Sequence, residues 1–174
     1  GHFLGVPWII NPMVGTAILF LLGWLAKETW NETSGKVSMI LGAFCPFLIM
    51  QSASYMNHPS VVLAFLLSLF CLYKISISPI IFGAFLGGTV AWSNTIRPLD
   101  GGFIAIVVFF LLLGKFPRDR TPLRGLVAAL FGFLAVIGLN LLYNQAVAGT
   151  PFLTPYEYVW SDQITFSFGS PNPF

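Results

Sequence analysis

Charge is what this chain has least of. Only 8% of its 174 residues are Asp, Glu, Lys or Arg, against about a quarter in an ordinary soluble domain, which excludes a water-facing shell around a single buried core. The net charge of +2 is too small and too scattered to make a nucleic-acid surface. Cysteine is nearly absent too. Cys45 and Cys71 both fall inside apolar runs, which excludes a disulfide framework and leaves two inert thiols as the expectation. There is no Gly-rich phosphate loop, Gly-x-Ser-x-Gly elbow, Cys-x-x-Cys pair or His-Glu-x-x-His helix, so soluble-type nucleotide or metallopeptidase chemistry has no support and no metal site is expected; the cofactor is left unknown. The start, Gly1-His2-Phe3, has no basic n-region and no cleavage-site pattern, so no signal peptide is read. The absence of an initiator Met and the Pro171-Asn172-Pro173-Phe174 end point to an internal portion of a longer membrane protein.

What is abundant is apolar length. Hydrophobic residues make up 56% of the chain and the mean hydropathy is +0.84, with apolar runs near the spanning length recurring throughout. The expected fold is all-α: a polytopic transmembrane bundle of about six spans forming a single domain over residues 1–174, with residues 144–174 an aromatic and polar loop on the outer face. The spans run approximately from Asn11 to Ala26, Val37 to Ser54, Pro59 to Tyr73, Pro79 to Thr95, Gly102 to Phe116 and Pro122 to Tyr143. Asn11-Pro12, Ser78-Pro79 and Thr121-Pro122 each set a capping side chain before a proline, whose missing N–H costs nothing in a helix's first turn. Gly83 with Gly87, and Ala128 with Gly132, carry the small-residue spacing of closely packed membrane helices.

Threading these spans alternately puts Lys27, Lys36, Lys74, Lys115, Arg118, Arg120 and Arg124 on one side and Arg97 alone on the other. The positive-inside rule makes the first side cytoplasmic. The acceptor pattern Asn31-Glu32-Thr33 then faces the cytoplasm and is expected to stay unglycosylated. The remaining polar chemistry gathers outside, in Gln51–Pro59, Ser93–Gly101 and the tail from Asn144. An arginine held near hydrocarbon is costly and is usually offset by an anion. Arg97 therefore either pairs with Asp100 or snorkels to headgroups, or its planar fork binds a lipid-linked phosphate, with Asp100 as its orienter. His58, beside Tyr55 and Asn57, is a donor to phosphate or sugar hydroxyl, or the cap of a helix start. Asp100 reads equally as the N-cap of the fifth span. Asn144, Tyr156 and Glu157 belong to a tail that is an interfacial aromatic belt or, with rings for sugar faces and amides for hydroxyls, a carbohydrate site.

These segments in this order carry a family likeness. Trp8-Ile9-Ile10-Asn11-Pro12-Met13-Val14-Gly15, Cys45-Pro46-Phe47 leading to Ser52-Ala53-Ser54-Tyr55-Met56-Asn57-His58-Pro59, Thr95-Ile96-Arg97-Pro98-Leu99-Asp100, then Tyr143-Asn144, Thr150-Pro151-Phe152 and Pro155-Tyr156 resemble the multi-pass glycosyltransferases of the GT-C superfamily. The likeness is to the bacterial branch akin to protein mannosyltransferases and aminoarabinose transferases, and it extends from about Trp8 to Gly169. It implies transfer of a sugar from a polyprenyl-phosphate carrier to a glycan, lipid or protein acceptor on the outer face of the membrane, and the lack of long inserted outer loops makes a bacterial plasma membrane the expectation. It implies an inverting displacement, in which a carboxylate deprotonates the acceptor while positive charge stabilises the departing phosphate. Arg97 becomes the phosphate contact, with His58 and Tyr55 as nearby donors. The superfamily's base lies in the first outer loop, which is expected upstream of Trp8, so this stretch alone is expected to be inactive. The alternative from another class is a transporter or lipid flippase with Arg97 on its path; a third is a non-catalytic scaffold.

Overall fold

The computed structural model describes residues 9–54, 57–114 and 121–152, apart from the side chains of residues 121 and 122. Among them it contains seven helices and no strand. They are α1 (Ile10–Thr29), α2 (Glu32–Ala43), α3 (Pro46–Ser52), α4 (His58–Lys74), α5 (Pro79–Ile96), α6 (Pro98–Leu113) and α7 (Thr121–Ala148). The chain divides into two compact units, Gly1–Val136 and Ile137–Phe174, with the boundary inside α7. Two helical stretches, Ile10–Thr29 and Leu123–Ala148, are long and apolar enough to cross a membrane, or three if a bent pair counts as one crossing; α4 and α6 are shorter apolar helices. Phe20, Phe85, Phe110 and Phe131 are exposed on helix faces, an apolar surface of the kind that lipid covers.

Among the described residues, five of the six predicted spans each fall on one helix, the last two residues of the Gly102 to Phe116 span lying outside them. The sixth, Val37 to Ser54, is two: α2 ends at Ala43, α3 begins at Pro46, and the pair is bent by 60°. Pro46 has no N–H to continue the helical ladder, and it drives the preceding Cys45 to extended dihedrals (φ −70°, ψ 114°). The bend lets α3 turn back onto α1, where a Cβ at Gly15 would collide with the Ser52 side chain. α2 is capped by Asn31, whose Oδ1 accepts from Ser34 N at 2.8 Å and Ser34 Oγ at 3.1 Å. It lies against α1 at backbone distance: a Cβ on Gly35 would sit 2.8 Å from the Gly23 carbonyl oxygen and 2.9 Å from Lys27 Cβ.

The predicted proline-preceding caps are corrected in two places. Asn11 lies within the first turn of α1, with Ile9 at the cap position, and its Nδ2 donates instead to the Ser54 carbonyl across the fold. Ser78 does occupy the cap of α5 but makes no side-chain cap bond. The start of α6 is corrected as well: it begins at Pro98, not Gly102, so Asp100 is a first-turn residue and not the N-cap. Arg97 is the single residue between α5 and α6, held extended (φ −145°, ψ 99°) because Pro98 follows it. Its N–H donates to Ser93 O at 2.9 Å and closes α5; its carbonyl accepts from Gly101 N at 2.8 Å and opens α6.

The core of the first unit comes from α4 (Val61, Cys71, Leu72), the adjoining Ile75, α5 (Leu86, Val90) and α6 (Ile104, Val108, Leu112). One polar link crosses it. Ser68 Oγ, fully buried, donates to Ala64 O at 2.8 Å and lies 2.9 Å from Thr89 Oγ1, joining α4 to α5. The small-residue pairs meet as their spacing predicts. Gly83 faces Gly125 and Ala128, Gly87 faces the Ala129 backbone, and Gly132 faces Ala84, so α5 and α7 touch along their main chains.

Candidate functional site

Contacts sort the charged residues of the first unit into two ends. At one end the last turn of α1 meets the start of α2, through Gly35 against Lys27, and the end of α4. There Tyr73 OH donates to Glu28 Oε2 at 3.0 Å, and Lys74 Nζ stands 5.1 Å from the Trp24 ring centroid and 5.5 Å from that of Tyr73. Lys36 pairs with Glu32 at 2.9 Å. Gly125, next to Arg124 at the start of α7, packs against Ile75 just beyond α4. Lys27, Lys36, Lys74 and Arg124 thus share the end at which they were grouped from sequence; Lys115, Arg118 and Arg120 lie outside the described residues.

At the other end the first turns of α1, α4 and α6 converge with the end of α3. Arg97 Nη1 is 3.1 Å from Asp100 Oδ2, the side chains being 39% and 42% exposed, and 2.5 Å from His58 Nδ1. The fold therefore unites Arg97, His58 and Asp100 into one cluster, although 39 residues separate the first two. Two helices carry it: His58 opens α4, and Arg97 with Pro98 opens α6. A guanidinium only donates, so in this contact Nδ1 of His58 is the acceptor. Among the described residues, Arg97 Nε and Nη2 make no hydrogen bond, leaving a donor edge suited to an oxyanion.

The other predicted residues are distributed differently. Asn57 is exposed at the cap position of α4 without a side-chain cap bond. Asn144 is buried in the second unit, where its Nδ2 donates to Pro151 O at 3.2 Å. Tyr55, Tyr156 and Glu157 lie outside the described residues. Among the described residues, no group of three or more His, Cys, Asp or Glu could hold a metal ion.

The sequence places Gln51 and Ser52 in the outer polar segment but gives neither a role. Gln51 Oε1 and Ser52 Oγ are buried with no hydrogen-bond partner among the described residues. Ser52 borders a cavity of about 310 Å³ between α1, α2 and α3, lined also by Pro12, Gly15, Thr16, Leu19 and Gly42. The signal was in the chain, since Cys45-Pro46 breaks the run and Gln51-Ser52 would then fall on a separate short helix. Comparison with protein-family models, curated proteins and solved structures finds no match.

Proposed function

We propose that this chain is the membrane-embedded, phosphate-holding part of a glycosyltransferase that passes a sugar from a polyprenyl-phosphate donor to a glycan, lipid or protein acceptor on the outer face of a bacterial plasma membrane. On this reading the helices make about six crossings, with α2 and α3 together one bent crossing, and the Arg97 end faces outward while the Lys74 end faces the cytoplasm. The observation that carries it is the Arg97 cluster: a guanidinium oriented by Asp100, touching His58, with donor groups to spare. In the displacement, the acceptor hydroxyl oxygen forms a bond to the anomeric carbon as the carbon–oxygen bond to phosphate breaks. Negative charge grows on the leaving phosphate, and Arg97 is the group that would meet it. The carboxylate that takes the acceptor proton is unassigned; Asp100, tied to Arg97, serves as orienter.

The test is transfer of radiolabelled sugar from polyprenyl-phosphate donors by membranes carrying the full-length protein, wild type beside Arg97→Ala. A loss of about a hundredfold with unchanged insertion is expected. Wild-type turnover in the variant removes Arg97 from the site, and no transfer from any donor overturns the transferase. The sidedness is tested by cysteines at Thr121 and Gly149 in intact cells: a membrane-impermeant thiol reagent should spare the first and label the second.

The 60° break between α2 and α3 favours a second reading, a transporter or lipid flippase, because such proteins build substrate sites where helices are interrupted. Only one such break is found among the described residues, whereas inverted-repeat transporters carry them in corresponding pairs. Arg97-dependent lipid or solute flux without sugar transfer would select it.

A further inference from the structure

α3 is held more weakly than the helices around it. α1, α2, α4, α5 and α6 each bury residues against a neighbour, whereas no residue of α3 is buried. Phe47 and Met50 are exposed on its outer side. Leu48, Ile49, Ser52 and Ala53 follow the spacing of one helix face, and that face looks into the cavity of about 310 Å³ between α1, α2 and α3. Neither side of α3 is therefore closely packed along its length. Few buried apolar contacts are the mark of a segment that opens at low cost.

What α3 does shield is polar. Gln51 Oε1 and Ser52 Oγ are out of reach of solvent and have no hydrogen-bond partner among the described residues, so the packed position carries the desolvation of both. Outward movement would give them water or lipid headgroups to bond. Ser52 meets α1 at Gly15, where a Cβ would lie 2.9 Å from Ser52 Cβ, so turning the hydroxyl aside would not make room for one. The joint to α2 is also free to turn. Cys45 is extended and Pro46 has no N–H, so the ladder of α2 stops before α3, whose own ladder starts with Ile49 N donating to Cys45 O at 3.1 Å. At the far end Ser54 Oγ donates to Gln51 O at 3.0 Å, and Asn11 of α1 donates to the Ser54 carbonyl, which tethers that end to α1.

We infer that α3 is a flap with two positions, whether or not the chain transfers sugar: packed on Gly15, and swung outward about Cys45–Pro46, which widens the cavity at the Arg97 end and brings Gln51 and Ser52 to water or headgroups. Two opposite responses follow. Removing an unpartnered polar group favours the packed position, and adding a methyl group at Gly15 favours the outward one. A helix held in one place by its Gln51 amide would instead loosen when that amide is lost.

The experiment is pulsed electron paramagnetic resonance on the full-length protein in nanodiscs, with Cys45 and Cys71 replaced by Ala and spin labels on Met50→Cys and Ile80→Cys, two exposed positions on α3 and α5. Two label-to-label distances are expected in this parent. Adding Gln51→Met, which keeps the length of the side chain and drops its amide, should lower the ratio of outward to packed by about fivefold or more. Adding Gly15→Ala should raise it by about fivefold or more. A second label pair, Ile80→Cys with Phe103→Cys, spans α5 and α6 and should give one unchanged distance in every variant, which shows the rest of the bundle to be intact. A single Met50–Ile80 distance in all three proteins overturns the flap. An outward share that stays the same or grows in Gln51→Met overturns it too, since the amide then has a partner that holds α3 in place. Should Gly15→Ala disturb the second pair, the parent and Gln51→Met decide between them.

Discussion

The two ends of the first unit spend their charges differently. At the Lys74 end, Lys74 lies over the Trp24 and Tyr73 rings and Lys36 pairs with Glu32 one turn away, their side chains 71% and 69% exposed. At the Arg97 end, one cation holds both an imidazole and a carboxylate contributed by different helices, at about 40% exposure. Exposed pairs on one helix are screened and replaceable, each contributing about 0.3–0.5 kcal/mol. A cation shared between α4 and the α5–α6 junction is set by tertiary packing, and its orientation is specified. That difference separates exposed, screened cations at one end from a single cation at the other whose orientation the packing specifies.

Four perturbations sharpen or break this contrast. The largest effect is expected from Arg97→Ala against Lys74→Ala: on the proposed function, sugar transfer falls about a hundredfold for the first and less than about twofold for the second. Equal losses in the transfer assay would erase the distinction between the ends. Next comes Gly87→Val, whose added Cβ would run into the Ala129 backbone and cost about 1–3 kcal/mol through forced displacement of α5 from α7. Thermal unfolding in detergent should show it as a lowered midpoint, with Gly102→Ala, where nothing lies within 4 Å, as the unaffected control. A midpoint unchanged in Gly87→Val would mean that the α5–α7 contact is looser than described. Ser68→Ala, which removes the buried link to Thr89 between α4 and α5, should cost about 0.6 kcal/mol by the same measurement. Glu32→Gln should be smallest, at most about 0.5 kcal/mol, and should shrink further in high salt; a loss comparable to that of Gly87→Val would show the exposed end to be as constrained as the other.

Legibility followed the range of the interaction. The helical segments could be read because apolar length and proline starts are local: α4 differs from its predicted span by one residue at each end, and α5 begins at the predicted Pro79. The small-residue spacing of Gly83 and Gly87 anticipated a close helix contact. Pro46 marks the break in the sequence, yet the apolar run continues across it from α2 into α3, so hydropathy alone reads one span there. The start of α6 was misplaced because Asp100 has a good cap's chemistry, while Pro98 had already forced the turn at Arg97. At the site, Arg97 and its partner Asp100 were anticipated from three-residue spacing, and His58 was named without its contact.

By itself the sequence determined an all-helical chain, its apolar faces, and the separation of Arg97 from Lys27, Lys36, Lys74 and Arg124, because composition, period and sidedness are properties of local stretches. Only the tertiary structure decided that α3 folds back onto Gly15 of α1, that Ser68 reaches Thr89, and that His58 meets Arg97 with Nδ1 as acceptor. Those contacts depend on how helices far apart in the chain pack, and on glycines that let their backbones approach.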